Sequence, residues 1–194
     1  MKKISIISIL IIIFSSGCTP DRFVLNRAQD YPILGYIMTG LDDVRVVNDN
    51  SLFLYPSGRV SLSTTGMTQF IGNFSVELRK GNGVRFYFRT VSSQFDRQPF
   101  ISLEYTTKGC IVNDNNTSKT LIDSVAASIH KPELIKVVND GKFIRIFVGC
   151  AEIYNKATTL PATEYIIVEA MPQSEVFLYG LFYEELTTNF SKEL

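Results

Sequence analysis

From Tyr31 onward the signals are almost wholly those of β-strands, shown by stretches that alternate between apolar and polar residues with a period of two. In Phe74-Ser75-Val76-Glu77-Leu78-Arg79 the apolar side chains fall on one face and Ser, Glu and Arg on the other, the mark of a half-buried strand. Lys80-Gly81-Asn82-Gly83 interrupts, and Val84-Arg85-Phe86-Tyr87-Phe88-Arg89 repeats the alternation, so the pair predicts a hairpin. A polar loop, Ser92 to Gln98, precedes a further strand over Ile101 to Tyr105. Leu134 to Val138, Asn139-Asp140-Gly141 and Phe143 to Val148 predict a second hairpin, because Asp-Gly tolerates the positive φ angles of a two-residue turn. Val44 to Val47, Leu52 to Tyr55 and Val60 to Leu62 predict short early strands, and Tyr165 to Glu169 and Val176 to Tyr183 two late ones. About ten short strands with turn signals between them predict an all-β, antiparallel β-sandwich. Ser118 to Ile129 predicts the one short helix. The sandwich is expected over residues 31–188 and a short tail over 189–194, with no repeat and no second domain. The tail's closing Ser-Lys-Glu-Leu lacks the Asp of an endoplasmic-reticulum retention signal.

The amino terminus has a different pattern. Lys2 and Lys3 precede an eleven-residue run, Ile4 to Phe14, that is apolar except for Ser5 and Ser8. Ser15, Ser16 and Gly17 then lead to Cys18. This is the architecture of a cleaved secretory signal, and the run is shorter than the roughly 20 residues of a membrane-spanning helix. The small-small-Cys ending resembles the lipobox of bacterial lipoproteins, with Ser15 where that family usually has Leu. The resemblance implies removal of residues 1–17, lipidation of the Cys18 thiol and acylation of the new amino terminus. Several acyl chains on one residue anchor a protein stably. The implied partner is the membrane and the implied location the bacterial cell envelope. Thr19 after the Cys, rather than Asp, resembles the outer-membrane sorting pattern of enteric bacteria. Thr19 to Asp30 then reads as a tether, with Phe23 to Leu25 as a first strand or a docking segment.

Composition narrows the partners. The chain carries 19 basic and 19 acidic residues, and loss of the signal leaves 177 residues with a charge of −2. No basic field exists to attract nucleic acid. Phe (14) and Tyr (9) are plentiful but Trp is absent, which removes the residue that sugar platforms often use. With Cys18 lipidated, Cys110 and Cys150 remain, and an oxidising compartment favours pairing them. The bridge would close a loop of about 40 residues, worth roughly 4 kcal/mol in the chain-entropy model; the alternative is two buried free thiols.

The strand order resembles a concanavalin-A-like or laminin-G-like jelly roll. The resemblance rests on Phe74 to Arg89 and His130 to Cys150 and extends over Gly72 to Tyr183. That group includes sugar-binding modules, adhesion domains and glycoside hydrolases, and fold does not choose among them. Its hydrolases commonly carry Glu-x-Asp-x-x-Glu on one strand, a motif missing here. Glu77 and Glu104 occupy polar positions of alternating strands, and Glu169 is placed to join them as a paired-carboxylate set. Their plainer reading is an outer face neutralised by Arg79, Arg85 or Arg89.

Arg85, Tyr87 and Arg89 share one face of one strand, with Arg145 expected on the same side from another. Arginines beside a tyrosine can stack on, and hydrogen-bond, a sugar or an acidic ligand. The plainer reading is a solvated face of long side chains. His130 is the single histidine, and no Gly-x-Ser-x-Gly elbow accompanies it, so it reads as a surface loop residue. One His and no finger-type Cys pair make a zinc site improbable. Asp114-Asn115-Asn116 and Asp42-Asp43 match no calcium loop and read as turns. No catalytic residue, metal or cofactor is assigned.

The leading expectation is an envelope-anchored lipoprotein whose sandwich binds a glycan or a protein partner. The alternatives are a glycoside hydrolase or other polysaccharide-active enzyme, and a structural accessory subunit of an envelope complex.

Overall fold

The computed structural model describes residues 37–39, 43–48, 51–63, 69–90, 101–114, 120–122, 124–157 and 165–185. The signal segment, Cys18, the tether with Phe23 to Leu25, the Ser92 to Gln98 loop and the 189–194 tail lie outside them. Within the described residues the chain forms fourteen strands. They are β1 (Ile37–Thr39), β2 (Val44–Asn48), β3 (Ser51–Leu54), β4 (Arg59–Ser63), β5 (Phe70–Lys80), β6 (Gly83–Thr90) and β7 (Ile101–Thr106). They continue as β8 (Gly109–Asp114), β9 (Thr120–Ile122), β10 (Pro132–Asn139), β11 (Phe143–Val148), β12 (Ala151–Ala157), β13 (Tyr165–Ala170) and β14 (Glu175–Glu185). The front sheet has the order β1-β4-β13-β6-β7-β8-β9 and the back sheet β12-β11-β10-β5-β14-β3-β2, with all neighbours antiparallel. This is the expected all-β sandwich.

The apolar halves of the alternating strands meet between the sheets. Phe74 and Val76 of β5 and Phe86 and Phe88 of β6 are fully buried, with the Phe74 and Phe86 rings 5.7 Å apart. Leu52, Leu54, Ile135, Val137, Ile144, Ile146, Ile166, Val168 and Leu178 complete the layer at 0 % exposure. Each such side chain stabilises the fold by about 1.5–3 kcal/mol relative to leaving it in water. At one side of the sandwich the Tyr154 hydroxyl of β12 donates to Asp114 Oδ2 of β8 at 2.8 Å, tying back sheet to front. Asp114 thus spends an oxygen inside the fold.

Two sequence expectations are corrected here. The turn at 80–83 is not a hairpin, because β5 pairs with β10 and β14 while β6 pairs with β13 and β7. It is an arch that carries the chain from back sheet to front. Each strand still turns its apolar side chains to the shared core, so its alternation is that of a hairpin strand. The 134–148 segment is a true hairpin, with Val137 opposite Ile146 and Asn139 opposite Ile144. The helix over Ser118 to Ile129 is also absent among the described residues. Thr120–Ile122 forms β9 on the edge of the front sheet, with Leu121 opposite Ile111. The β-branched Thr120 and Ile122 suit that pairing.

Three arches stand side by side. β3 leads to β4, β5 to β6 and β13 to β14, and their strands are adjacent in both sheets: β3-β14-β5 behind, β4-β13-β6 in front. The arches are pinned to one another. The buried Ser174 hydroxyl accepts from Asn82 N at 2.9 Å and Gly83 N at 3.1 Å, and Ala170 N donates to Gly58 O at 2.9 Å. Gly81 has φ +87°, and a Cβ there would run into the Gln173 carbonyl. Only glycine fits that turn without strain.

Candidate functional site

The arches fix where the outward side chains of β4, β13 and β6 stand. Register places Arg59 of β4 opposite Glu169 of β13, Glu169 opposite Arg85 of β6, and Arg85 opposite Glu104 of β7. The result is a row across four strands on the outer face of the front sheet, alternating in charge. Arg59 Nη2 lies 3.3 Å from Glu169 Oε1. Arg85 donates from Nε to Glu104 Oε1 at 3.0 Å, and its Nη2 lies 3.0 Å from the same oxygen. Arg85 Nη1 is 3.7 Å from Glu169 Oε2. Side-chain exposures of 37 % (Arg59), 17 % (Glu169), 28 % (Arg85) and 22 % (Glu104) make all four side chains partly exposed.

Tyr87 supports the row from the next position along β6. Arg85 Nη1 donates to its hydroxyl at 3.2 Å, and that hydroxyl donates to Glu169 Oε2 at 3.0 Å. Burial lifts its pKa from 10.0 to about 12; the Arg85 hydrogen bond pulls the other way and the Glu169 carboxylate adds to the rise. The group is therefore a neutral donor at physiological pH. Tyr87 is only 4 % exposed, so its ring offers no open face to a ligand. It is a positioning residue for Arg85 and Glu169.

The other expected residues divide between the two faces. Glu104 joins Arg85 and Tyr87, and Glu169 joins them too. Arg89 belongs to the same strand, but its side chain is outside the described part. Glu77 is on β5 in the back sheet, where Arg79 Nη2 binds it at 3.0 Å. Arg145 is on β11, also in the back sheet, half-buried opposite Asn155 and Val138. Neither shares a face with Glu104 or Arg85, because their strands pair into the opposite sheet. His130 is an exposed residue with φ +61°. Arg59 was not singled out from the sequence. Its signal is the outward phase of Arg59-Val60-Ser61-Leu62, but its link to Arg85 runs through β13, more than a hundred residues along the chain.

The expected Cys110–Cys150 bridge is not formed. Cys110 is a free thiol with 0 % exposure that donates to Val125 O at 3.1 Å, and burial pushes its pKa up to about 12. It faces the core from β8, whereas Cys150 lies in the exposed turn between β11 and β12.

The back sheet's outer face holds the other polar-aromatic cluster. Phe53 and Tyr55 lie 5.0 Å apart and Phe177 and Tyr179 5.4 Å apart, with Phe53 opposite Phe177. Guanidinium groups cap two of these rings, Arg45 at 5.6 Å over Phe53 and Arg79 at 5.5 Å over Phe177. A sugar could stack on those faces only by displacing the cations. Among the described residues no group of three or more His, Cys, Asp or Glu side chains is placed to hold a metal ion.

No family model matches the sequence, and no curated protein matches it. Solved structures do share its fold. One is a Parabacteroides distasonis protein provisionally assigned as a glycosyl hydrolase, with 7 % identity, a TM-score of 0.60, and 81 % of this chain and 91 % of that one covered. Another is an endo-acting O-glycanase of the human gut microbiota, with 11 % identity, a TM-score of 0.55, and 81 % and 89 % covered. A third is the carbohydrate-binding module CBM66 from Bacillus subtilis, with 13 % identity, a TM-score of 0.51, and 76 % and 99 % covered. At these identities the likeness is one of fold: the chain is an antiparallel β-sandwich similar to those of sugar-binding and sugar-cleaving proteins.

Proposed function

We propose that the protein is a lipid-anchored component of the bacterial cell envelope whose sandwich binds a glycan on the outer face of the front sheet. The Arg59–Glu169–Arg85–Glu104 row carries this reading. A glycan offers hydroxyls that donate and accept in alternation. Carboxylates supply acceptors and guanidinium groups supply donors, in fixed positions on rigid strands. The similar folds of a carbohydrate-binding module and an O-glycanase support the reading. The lipobox-like stretch ending at Cys18 supports the anchor.

The second reading, a polysaccharide-cleaving enzyme, draws on Glu104 and Glu169 standing on one face around Arg85. A glycosidase needs one of two carboxyls to carry a proton for the leaving group. Here both are bound to guanidinium, at 3.0 Å and 3.3 Å, an arrangement suited to acceptors rather than to an acid. Binding therefore takes precedence over cleavage.

A glycan array probed with the purified protein tests the proposal. The expected result is a set of bound glycans that Arg85→Ala abolishes and Tyr87→Phe weakens about tenfold, the loss of one charge-assisted hydrogen bond. An array without a hit would overturn it and leave the accessory-subunit reading, to be pursued by crosslinking in the native membrane. Shortening of a bound glycan would favour the enzyme.

A further inference from the structure

The same row bears on ligand charge. Its four heads are matched two against two, and Arg85 is shared by both carboxylates at 3.0 Å and 3.7 Å. An acidic ligand would have to set its carboxylate beside Glu104 or Glu169, or draw Arg85 away from them. Either course leaves a partly buried carboxylate facing a like charge or stripped of its counter-charge. An uncharged hydroxyl asks for neither. A carboxylate has about four lone-pair sites and a guanidinium five N–H donors, so both can serve a sugar hydroxyl without dissolving their pairing.

The neighbouring row fixes a direction. One step along the strands stand Ser61, Ile167, Tyr87 and Ser102, opposite one another in register. Their exposures are 2 %, 0 %, 4 % and 3 %. A chain laid along the strands would pass over groups already covered. A chain laid across Arg59, Glu169, Arg85 and Glu104 meets four partly exposed polar side chains over three strand spacings, roughly 14 Å at about 4.8 Å each.

Resting on the glycan reading above, we infer that the Arg59–Glu169–Arg85–Glu104 row takes an uncharged glycan lying across β4, β13, β6 and β7 and discriminates against acidic glycans. Charge removal should retune that choice. Glu104→Gln keeps the shape of the side chain but leaves the row with one excess positive charge. Arg59→Ala shortens the row at its more exposed end.

Calorimetric titration of the purified protein tests this with two sets of probes. The neutral set is cello-, xylo-, manno- and laminari-hexaose; the acidic set is oligogalacturonate, oligomeric alginate and sialyl-lactose. The expected result is binding of at least one neutral hexaose at least tenfold tighter than any acidic probe. Glu104→Gln should narrow that gap about tenfold, and Arg59→Ala should weaken the neutral ligand while binding of a shorter trimer is spared. Thermal unfolding checks that both variants remain folded. Equal or tighter binding of an acidic probe by the unaltered protein would overturn the inference while leaving the glycan reading standing. Binding of no probe in either set would overturn both.

Discussion

The Tyr87 hydroxyl accepts from Arg85 at 3.2 Å and donates to Glu169 at 3.0 Å, so a single oxygen joins two ion pairs into one unit. The sign of its pH dependence follows from burial. The folded-state pKa, about 12, lies above the ordinary 10.0 because the phenolate is disfavoured in the fold. Its stabilisation is complete below pH 10 and is lost as pH rises towards 12. We expect the urea midpoint to fall over that interval by the equivalent of about 1–2 kcal/mol more in the native protein than in Tyr87→Phe. Equal falls in the two proteins would show that Tyr87 does not report the row. The buried Tyr105 and the half-buried Tyr154 are also pushed upward by burial and contribute the background that the variant leaves in place. Alternation alone put Arg85 and Tyr87 on one face, and the structure agrees. It left Tyr87's exposure open, because a period-two pattern says which way a side chain turns and not what covers it. Glu77 and Arg145 illustrate the same limit, since phase along a strand does not say to which sheet the strand belongs.

Ser174 is the element-scale counterpart, a turn residue that holds another turn. Its hydroxyl accepts from Asn82 N and Gly83 N, so the β13–β14 arch grips the β5–β6 arch. Removing it leaves a buried amide and a part-buried one without that acceptor, at about 1–3 kcal/mol for each such group. Ser174→Ala is expected to lower stability by about 2 kcal/mol with an unchanged denaturant slope, measured by urea unfolding. A change below about 0.5 kcal/mol would mean that water replaces the hydroxyl. Most strands were legible from alternation, and the Asn139-Asp140-Gly141 hairpin was legible from turn chemistry. The Lys80–Gly83 turn was not, for a physical reason. A glycine-rich link between two alternating strands gives the same pattern whether they bond to each other or face each other across the core. What separates the cases is the long-range pairing of β6 with β13, some eighty residues away, which local sequence does not carry. The 118–129 segment failed differently: its apolar residues suit a helix face, yet pairing with β8 recruits Thr120–Ile122 into the front sheet.

At the scale of the whole molecule, the proposed anchor and the proposed binding face make separable predictions. Cys18→Ala is expected to abolish incorporation of labelled palmitate and to move the protein from the membrane to the soluble fraction, as read by fractionation. Its glycan preference should be unchanged, because the row is built only from β4, β13, β6 and β7. Continued palmitate labelling in that variant would overturn the lipobox reading. The interleaving of the three arches also has a temporal side. The third arch, residues 165–185, inserts between the two earlier ones in both sheets: β13 between β4 and β6, β14 between β3 and β5. In a chain made from its amino end, the strands of the first two arches precede those that fill the slot between them. Arg59 and Arg85 are made early, but Glu169, which stands between them, arrives late. The apolar edges of that slot are exposed during the wait, and strand pairings this distant in sequence form slowly. The charged row and the closed core both depend on the third arch, since each needs residues of β13.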